Sequence, residues 1–113
     1  MTCTISVVDG VHLVTLEGEL DANTSPLAQR EIMPLTGDGR PILLDMHGVS
    51  FMSSAGLRLL LSTYRQVSSL GGVIALSGVS EELQDTMSMT GFLAFFAVHD
   101  NADSGVAALR RPE

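Results

Sequence analysis

Short β-rich runs alternate with segments of helical period along the whole chain, and that alternation limits the fold more than any other feature. Residues 4–8 (TISVV) and 11–17 (VHLVTLE) are the first two runs, and the Asp9-Gly10 pair between them is a two-residue hairpin signal. Residues 41–46 (PILLDM), 73–77 (VIALS) and 93–98 (LAFFAV) read as three further strands. Helical segments separate them. Ser25 is placed to cap the first, with Pro26 at its first position and Pro34 ending it beyond Ile32. In the second, Leu57, Leu60, Leu61, Tyr64 and Val67 fall on one face, and Gly71-Gly72 stops it. Ser80 caps the third, with Glu81 and Glu82 in a first turn that favours acids, and Gly91 closes it. Asp100 or Asn101 opens a terminal helix that ends near Arg110, before Pro112.

The order β-β-α-β-α-β-α-β-α predicts an α/β fold: a mostly parallel sheet, one antiparallel N-terminal hairpin strand and about four helices. Parallel strands deliver the loops at 18–25, 47–54, 78–80 and 99–101 to one edge of the sheet, where sites form in open α/β folds. Asp21 and Ser54 are therefore expected to be neighbours. A chain of 113 residues suits one domain over 1–113. Such a domain buries about two-thirds of its unfolded surface and needs neither disulfide nor metal. The single cysteine, Cys3, predicts a reducing compartment. There is no basic-then-apolar leader and no apolar run of about 18 residues, so the expectation is a cytoplasmic protein without membrane insertion.

Charge and motifs exclude several chemistries. Net charge is −7, with arginine at all six basic positions and no lysine. A phosphate backbone demands a basic face, so nucleic acid is not the expected partner. No glycine-rich phosphate loop follows a strand, so no nucleotide cofactor is expected. His12, His47 and His99 are dispersed and read as scattered surface or loop histidines, so no metal is expected. Ser54 matches only half of a hydrolase elbow, because Met52 stands where the tight turn needs glycine. The expectation is a protein that is not an enzyme.

The stretch FMSSAGL (51–57) carries the functional signal. Ser54 is placed to cap the second helix, but Ala55 and Gly56 behind it leave the hydroxyl uncovered, and glycine in a first turn costs about 1 kcal/mol against alanine. An uncovered hydroxyl suits modification from outside. A phosphate there adds about −1.5 to −2 charges at a helix N-terminus, which is a natural anion site. Arg58, four residues on, is spaced to reach back over it. Between Phe51 and Ser80 the only charged residues are Arg58 and Arg65, so this segment is locally basic in an acidic chain.

FMSSAGL, behind a buried strand and ahead of an apolar helix, resembles the phosphorylation motif of STAS domains, and more narrowly of bacterial anti-sigma factor antagonists. GELDANT (18–24) is similar to that family's second signature, and the resemblance covers nearly the whole chain. It implies that Ser54, two residues before Gly56, is the phosphoacceptor. Ser53 is the second candidate, standing where many members carry aspartate. Asp21 matches the acidic position of the first loop. With Asn23, Thr24, Ser53, Ala55, Gly56 and Arg58 it makes up the implied partner surface. The implied partners are an anti-sigma factor of the GHKL serine-kinase type, which binds the unmodified form and phosphorylates it, and a PP2C-type phosphatase that reverses this. A monomer or weak dimer is expected. The alternative is a non-switching STAS subunit of a larger assembly, either a stressosome-type scaffold or a lipid-transport complex.

Overall fold

The computed structural model describes residues 1–110. Strands β1 (Thr2–Val8) and β2 (Val11–Leu20) form the expected antiparallel hairpin, in register from Val8↔Val11 to Thr2↔Glu17. Both turn residues are left-handed, Asp9 at φ 52° and Gly10 at φ 79°, as a tight primed turn requires. Then follow α1 (Ser25–Ile32), a 3-10 turn (Met33–Gly37), β3 (Ile42–Met52), α2 (Ser54–Ser69), β4 (Ile74–Ser77), α3 (Glu81–Met89), a second 3-10 turn (Phe92–Phe95), β5 (Ala97–His99) and α4 (Ala102–Leu109). The sheet runs β1-β2-β3-β4-β5, antiparallel at β1 and parallel elsewhere. This is the small α/β domain that the element order predicts.

Alternate residues of each strand point to opposite faces. One face gathers Val14, Leu16 and Leu20 of β2 with Leu44 and Met46 of β3, under Ala28 and Ile32 of α1, Leu57 and Leu60 of α2, and Leu83 and Met87 of α3. The other face holds a smaller cluster of Val11, Leu43 and Ala75 beneath Val106 of α4. Strand order never reverses, so consecutive crossovers of one hand stack α1, α2 and α3 on one face. Helix α4 follows the last strand and makes no crossover, which leaves it free to cover the other face.

The structure revises several boundaries. Strand β3 runs six residues past Met46, pairing with β2 through two register shifts, between Thr15 and Glu17 and between Gly18 and Glu19. These irregularities extend the pairing as far as Leu20↔Met52. The last strand is only Ala97–His99; Phe92–Phe95 form a 3-10 turn, and Phe95 within it and Phe96 just after it meet Tyr64, tilted at 5.4 Å and edge-on at 5.5 Å respectively. Thr24, not Ser25, is the N-cap of α1, and Ser25 is buried inside the first turn. Asn101 caps α4, while Pro112 lies outside the described residues. The buried stripe of α2 also differs: Leu59 and Thr63 replace Leu61 and Tyr64, which are only half-buried. Thr63 is tolerated there because its hydroxyl donates to the Leu59 carbonyl at 2.8 Å.

His12 is likewise no surface residue. It is buried on β2, with Nε2 2.6 Å from Asp38 Oδ2 in the turn before β3. That contact ties the turn to the sheet at the end opposite the FMSSAGL edge. Asp38 is held below the usual carboxylate range, first by the Arg40 backbone N–H and then by His12.

Candidate functional site

Strands β2 and β3 outrun their neighbours, and Leu20 pairs with Met52 at their ends. The two chains therefore leave the sheet side by side, Asp21 from one and Ser53 from the other. The Ser53 N–H donates to the Leu20 carbonyl at 2.9 Å and fastens the junction. Extended pairing through the two register shifts is what brings residues 21 and 53 together.

The cap of α2 is Ser53, not Ser54. Ser53 is extended (φ −85°, ψ 177°), and its hydroxyl accepts the Gly56 N–H at 3.5 Å, a long bond. Ser54 is the first helical residue and is exposed; among the described residues its hydroxyl has no hydrogen-bond partner. The Ser54 and Ala55 N–H groups, free at any helix start, have none either. Arg58 is exposed one turn on and forms no ion pair among the described residues. One serine is thus committed to the fold and the other is left open.

Gly56 has a packing reason. A Cβ there would lie 2.6 Å from the Leu20 carbonyl oxygen and 2.7 Å from Met52 Cγ. The helix start is pressed against the last β2–β3 pair, and only glycine fits. The sequence reading, in which Gly56 merely uncovers the hydroxyl, missed this contact because it is made by a residue 36 positions earlier.

Residues 21–24 form a self-contained loop. Asp21 Oδ1 accepts the Asn23 N–H at 2.9 Å and the Thr24 N–H at 3.1 Å. The Thr24 hydroxyl accepts the Asp21 N–H at 2.9 Å and donates to the Glu19 carbonyl at 2.8 Å. These backbone donors, Thr24 first and Asn23 next, hold the Asp21 carboxyl below the usual range. Its other oxygen, Oδ2, has no partner among the described residues and remains available. The Asn23 side chain is exposed, whereas the Thr24 hydroxyl is turned into the loop.

Two features had no sequence signal strong enough to single them out. Phe51, two residues before Ser53, is 50% exposed and puts an aromatic ring on this edge. Asp45 is buried on the α4 face, accepting from the Ser77 hydroxyl at 3.2 Å and lying 2.8 Å from His47 Nδ1. An opening of about 250 Å³ beside it is lined by Asp45, His47, Asp100, Asn101 and Asp103. The only trace in the sequence is an aspartate inside an apolar strand. Strand order does not reverse at this edge, so the sheet offers no topological switch point there.

The family model described as the STAS domain matches residues 3–105. The anti-sigma-B factor antagonist of Bacillus subtilis (strain 168) is 28% identical over 93 residues, spanning 82% of this chain and 85% of that protein. The anti-sigma F factor antagonist of Paenibacillus polymyxa is 28% identical over 102 residues, 88% of this chain and 87% of that one. Among solved structures, an anti-sigma factor antagonist from Mycobacterium paratuberculosis superposes with a TM-score of 0.86 at 25% identity, covering 97% of this chain and 94% of the other.

Proposed function

The chain belongs to the STAS domain family, and we propose that it is an anti-sigma factor antagonist working by partner switching. The unmodified protein binds an anti-sigma factor of the GHKL serine-kinase type and so releases a sigma factor. Phosphorylation of Ser54 by that kinase ends the binding, and a PP2C-type phosphatase restores it. The names of its relatives support the antagonist role. The observation that carries the switch is the division of labour between the two serines: Ser53 caps α2, and Ser54 is exposed with an uncommitted hydroxyl. A phosphate on Ser54 would meet unpaired N–H groups and the basic end of Arg58 without disturbing a structural bond. Asp21, Asn23, Ala55, Arg58 and Phe51 surround it as the partner surface, while Gly56, expected there from the motif, is buried against Leu20 and Met52 and serves the packing beneath it. The role places the protein in the cytoplasm, where its partners act.

A pull-down with wild type, Ser54→Ala and Ser54→Glu tests this reading. Wild type and Ser54→Ala are expected to retain a kinase-type partner that Ser54→Glu loses. Incubation with that partner and ATP should place phosphate on Ser54. Phosphate mainly on Ser53 would overturn the acceptor assignment. Equal capture by all three variants would overturn the switch and favour a non-switching assembly subunit.

A further inference from the structure

We propose that the open edge of β1 pairs antiparallel with β1 of a second copy about a two-fold axis at Ile5, making a weak dimer with one continuous sheet. An unpaired edge is normally blunted by charge, proline, a bulge or shortness. The opposite edge is blunted by shortness, β5 having three residues. Strand β1 has seven, pairs with β2 without a register shift, and contains no proline. Residues 1–8 (MTCTISVV) carry no charged side chain in a chain of net charge −7. The strand itself therefore brings no like charge to the same strand of a second copy.

Hydrogen-bond parity selects the register. A two-residue turn makes Val8 and Val11 a hydrogen-bonded pair, and such pairs alternate along an antiparallel ladder. Thr2, Thr4, Ser6 and Val8 thus spend their backbone groups on β2. Those of Cys3, Ile5 and Val7 point to the open edge. A two-fold axis at Ile5 sets Ile5 opposite its own copy and Cys3 opposite Val7, so that all three outward residues bond. Thr4 then faces Ser6 between the bonded pairs. Val7, 51% exposed, arrives beside the groove of about 290 Å³ lined by Met1, Thr2, Cys3 and Leu27 and rimmed by the oppositely charged Arg30 and Glu31; Met1 and Leu27 are themselves 37% and 49% exposed. Each copy supplies both the projecting valine and the groove that receives it, as an isologous contact demands. Seven residues span about 23 Å. An interface that narrow lies at the small end of specific contacts, so the dimer is concentration-dependent. The two-fold axis points the two Ser54 edges in opposite directions and leaves both free, so this inference does not depend on the partner switch.

Sedimentation of the full chain under reducing conditions, up to about 1 mM, reads the association directly. A reversible monomer–dimer equilibrium is expected. Thr4→Lys/Ser6→Lys sets lysine opposite lysine and should weaken it about tenfold; Thr4→Lys/Ser6→Glu sets lysine opposite glutamate and should restore it. Val7→Cys places a thiol within disulfide reach of Cys3 of the other copy, about 5.5 Å between Cα atoms. Mild oxidation should then give a dimer whose mapped linkage joins Cys3 of one copy to the introduced thiol of the other. A chain that stays monomeric throughout would leave the edge to a strand of another protein and overturn the proposal. Linkage between like positions, Cys3 to Cys3 or one introduced thiol to the other, or equal association of the two charge variants, would overturn it too.

Discussion

Two helices begin at the same edge of the sheet, and they begin in opposite ways. At the start of α1 the loop turns inward: Asp21 holds two backbone N–H groups, the Thr24 hydroxyl is used twice, and Ser25 N–H donates to the Asp21 carbonyl at 2.9 Å. At the start of α2 the polar groups are left facing outward: the capping bond is long, Ser54 is unpartnered and two N–H groups are free. Yet α2 is the more firmly seated, because Gly56 lies in contact with Leu20 and Met52. The difference shows that a helix start can be fixed by packing while its chemistry stays open. A reversible modification site needs that combination, since a charge can come and go without moving the backbone.

The largest test of this contrast is Gly56→Val. It should cost about 3 kcal/mol or more, because the neighbours at the new Cβ include a backbone carbonyl that cannot move aside. Thermal unfolding measures it, and a wild-type melting temperature would break the claim that α2 is seated by packing.

Next in size is Asp21→Ala, which leaves two loop N–H groups without their acceptor and should lower the melting temperature clearly. Asp21→Asn keeps an oxygen in the same place and should melt almost as wild type does at neutral pH. The two variants also separate in acid. The native Asp21 pKa is depressed, so its contribution is present above the ordinary aspartate range and is lost as pH falls through the native value. Asp38 acts with the same sign. Wild type should therefore lose stability on acidification, and Asp21→Asn should lose less between neutral and acidic pH. Identical acid profiles for the two proteins would show that the loop is not held by the carboxylate.

Ser53→Ala is expected to cost about 0.5 kcal/mol, at the low end for a cap, because the bond it removes is 3.5 Å long. Denaturant unfolding resolves a change of that size. A loss above about 2 kcal/mol would mean that the cap, more than Gly56, seats the helix.

The smallest effect belongs to Ser54→Ala, within about 0.5 kcal/mol of wild type, since nothing in the described structure depends on its hydroxyl. The comparison is sharpest here: the serine that matters least to stability is the one assigned to the switch. A destabilised Ser54→Ala would place that hydroxyl in the fold and remove the contrast between the two serines.

Much of this molecule is local and could be read along the chain. Asp9-Gly10 makes its hairpin because two left-handed residues match the strand twist. Ser80 caps α3, its hydroxyl accepting the Leu83 N–H at 3.2 Å, and Asn101 caps α4. Alternating periods give the element order, and the parallel order puts the 18–25 and 47–54 segments at one edge. Those features depend on contacts within a few residues, so composition and spacing are enough to predict them. What the tertiary structure alone decided are contacts between distant segments. Two register shifts carried β3 six residues beyond its apolar run and so made Ser53 the cap in place of Ser54. Gly56 is required by Leu20. Tyr64 left the buried stripe of α2 to meet Phe95 and Phe96. Asp45 and His12 found partners in Ser77, His47 and Asp38 that no spacing announces. A buried polar or closely packed side chain answers to whatever the fold brings within a few ångströms, and that neighbour's position in the chain leaves no periodic trace.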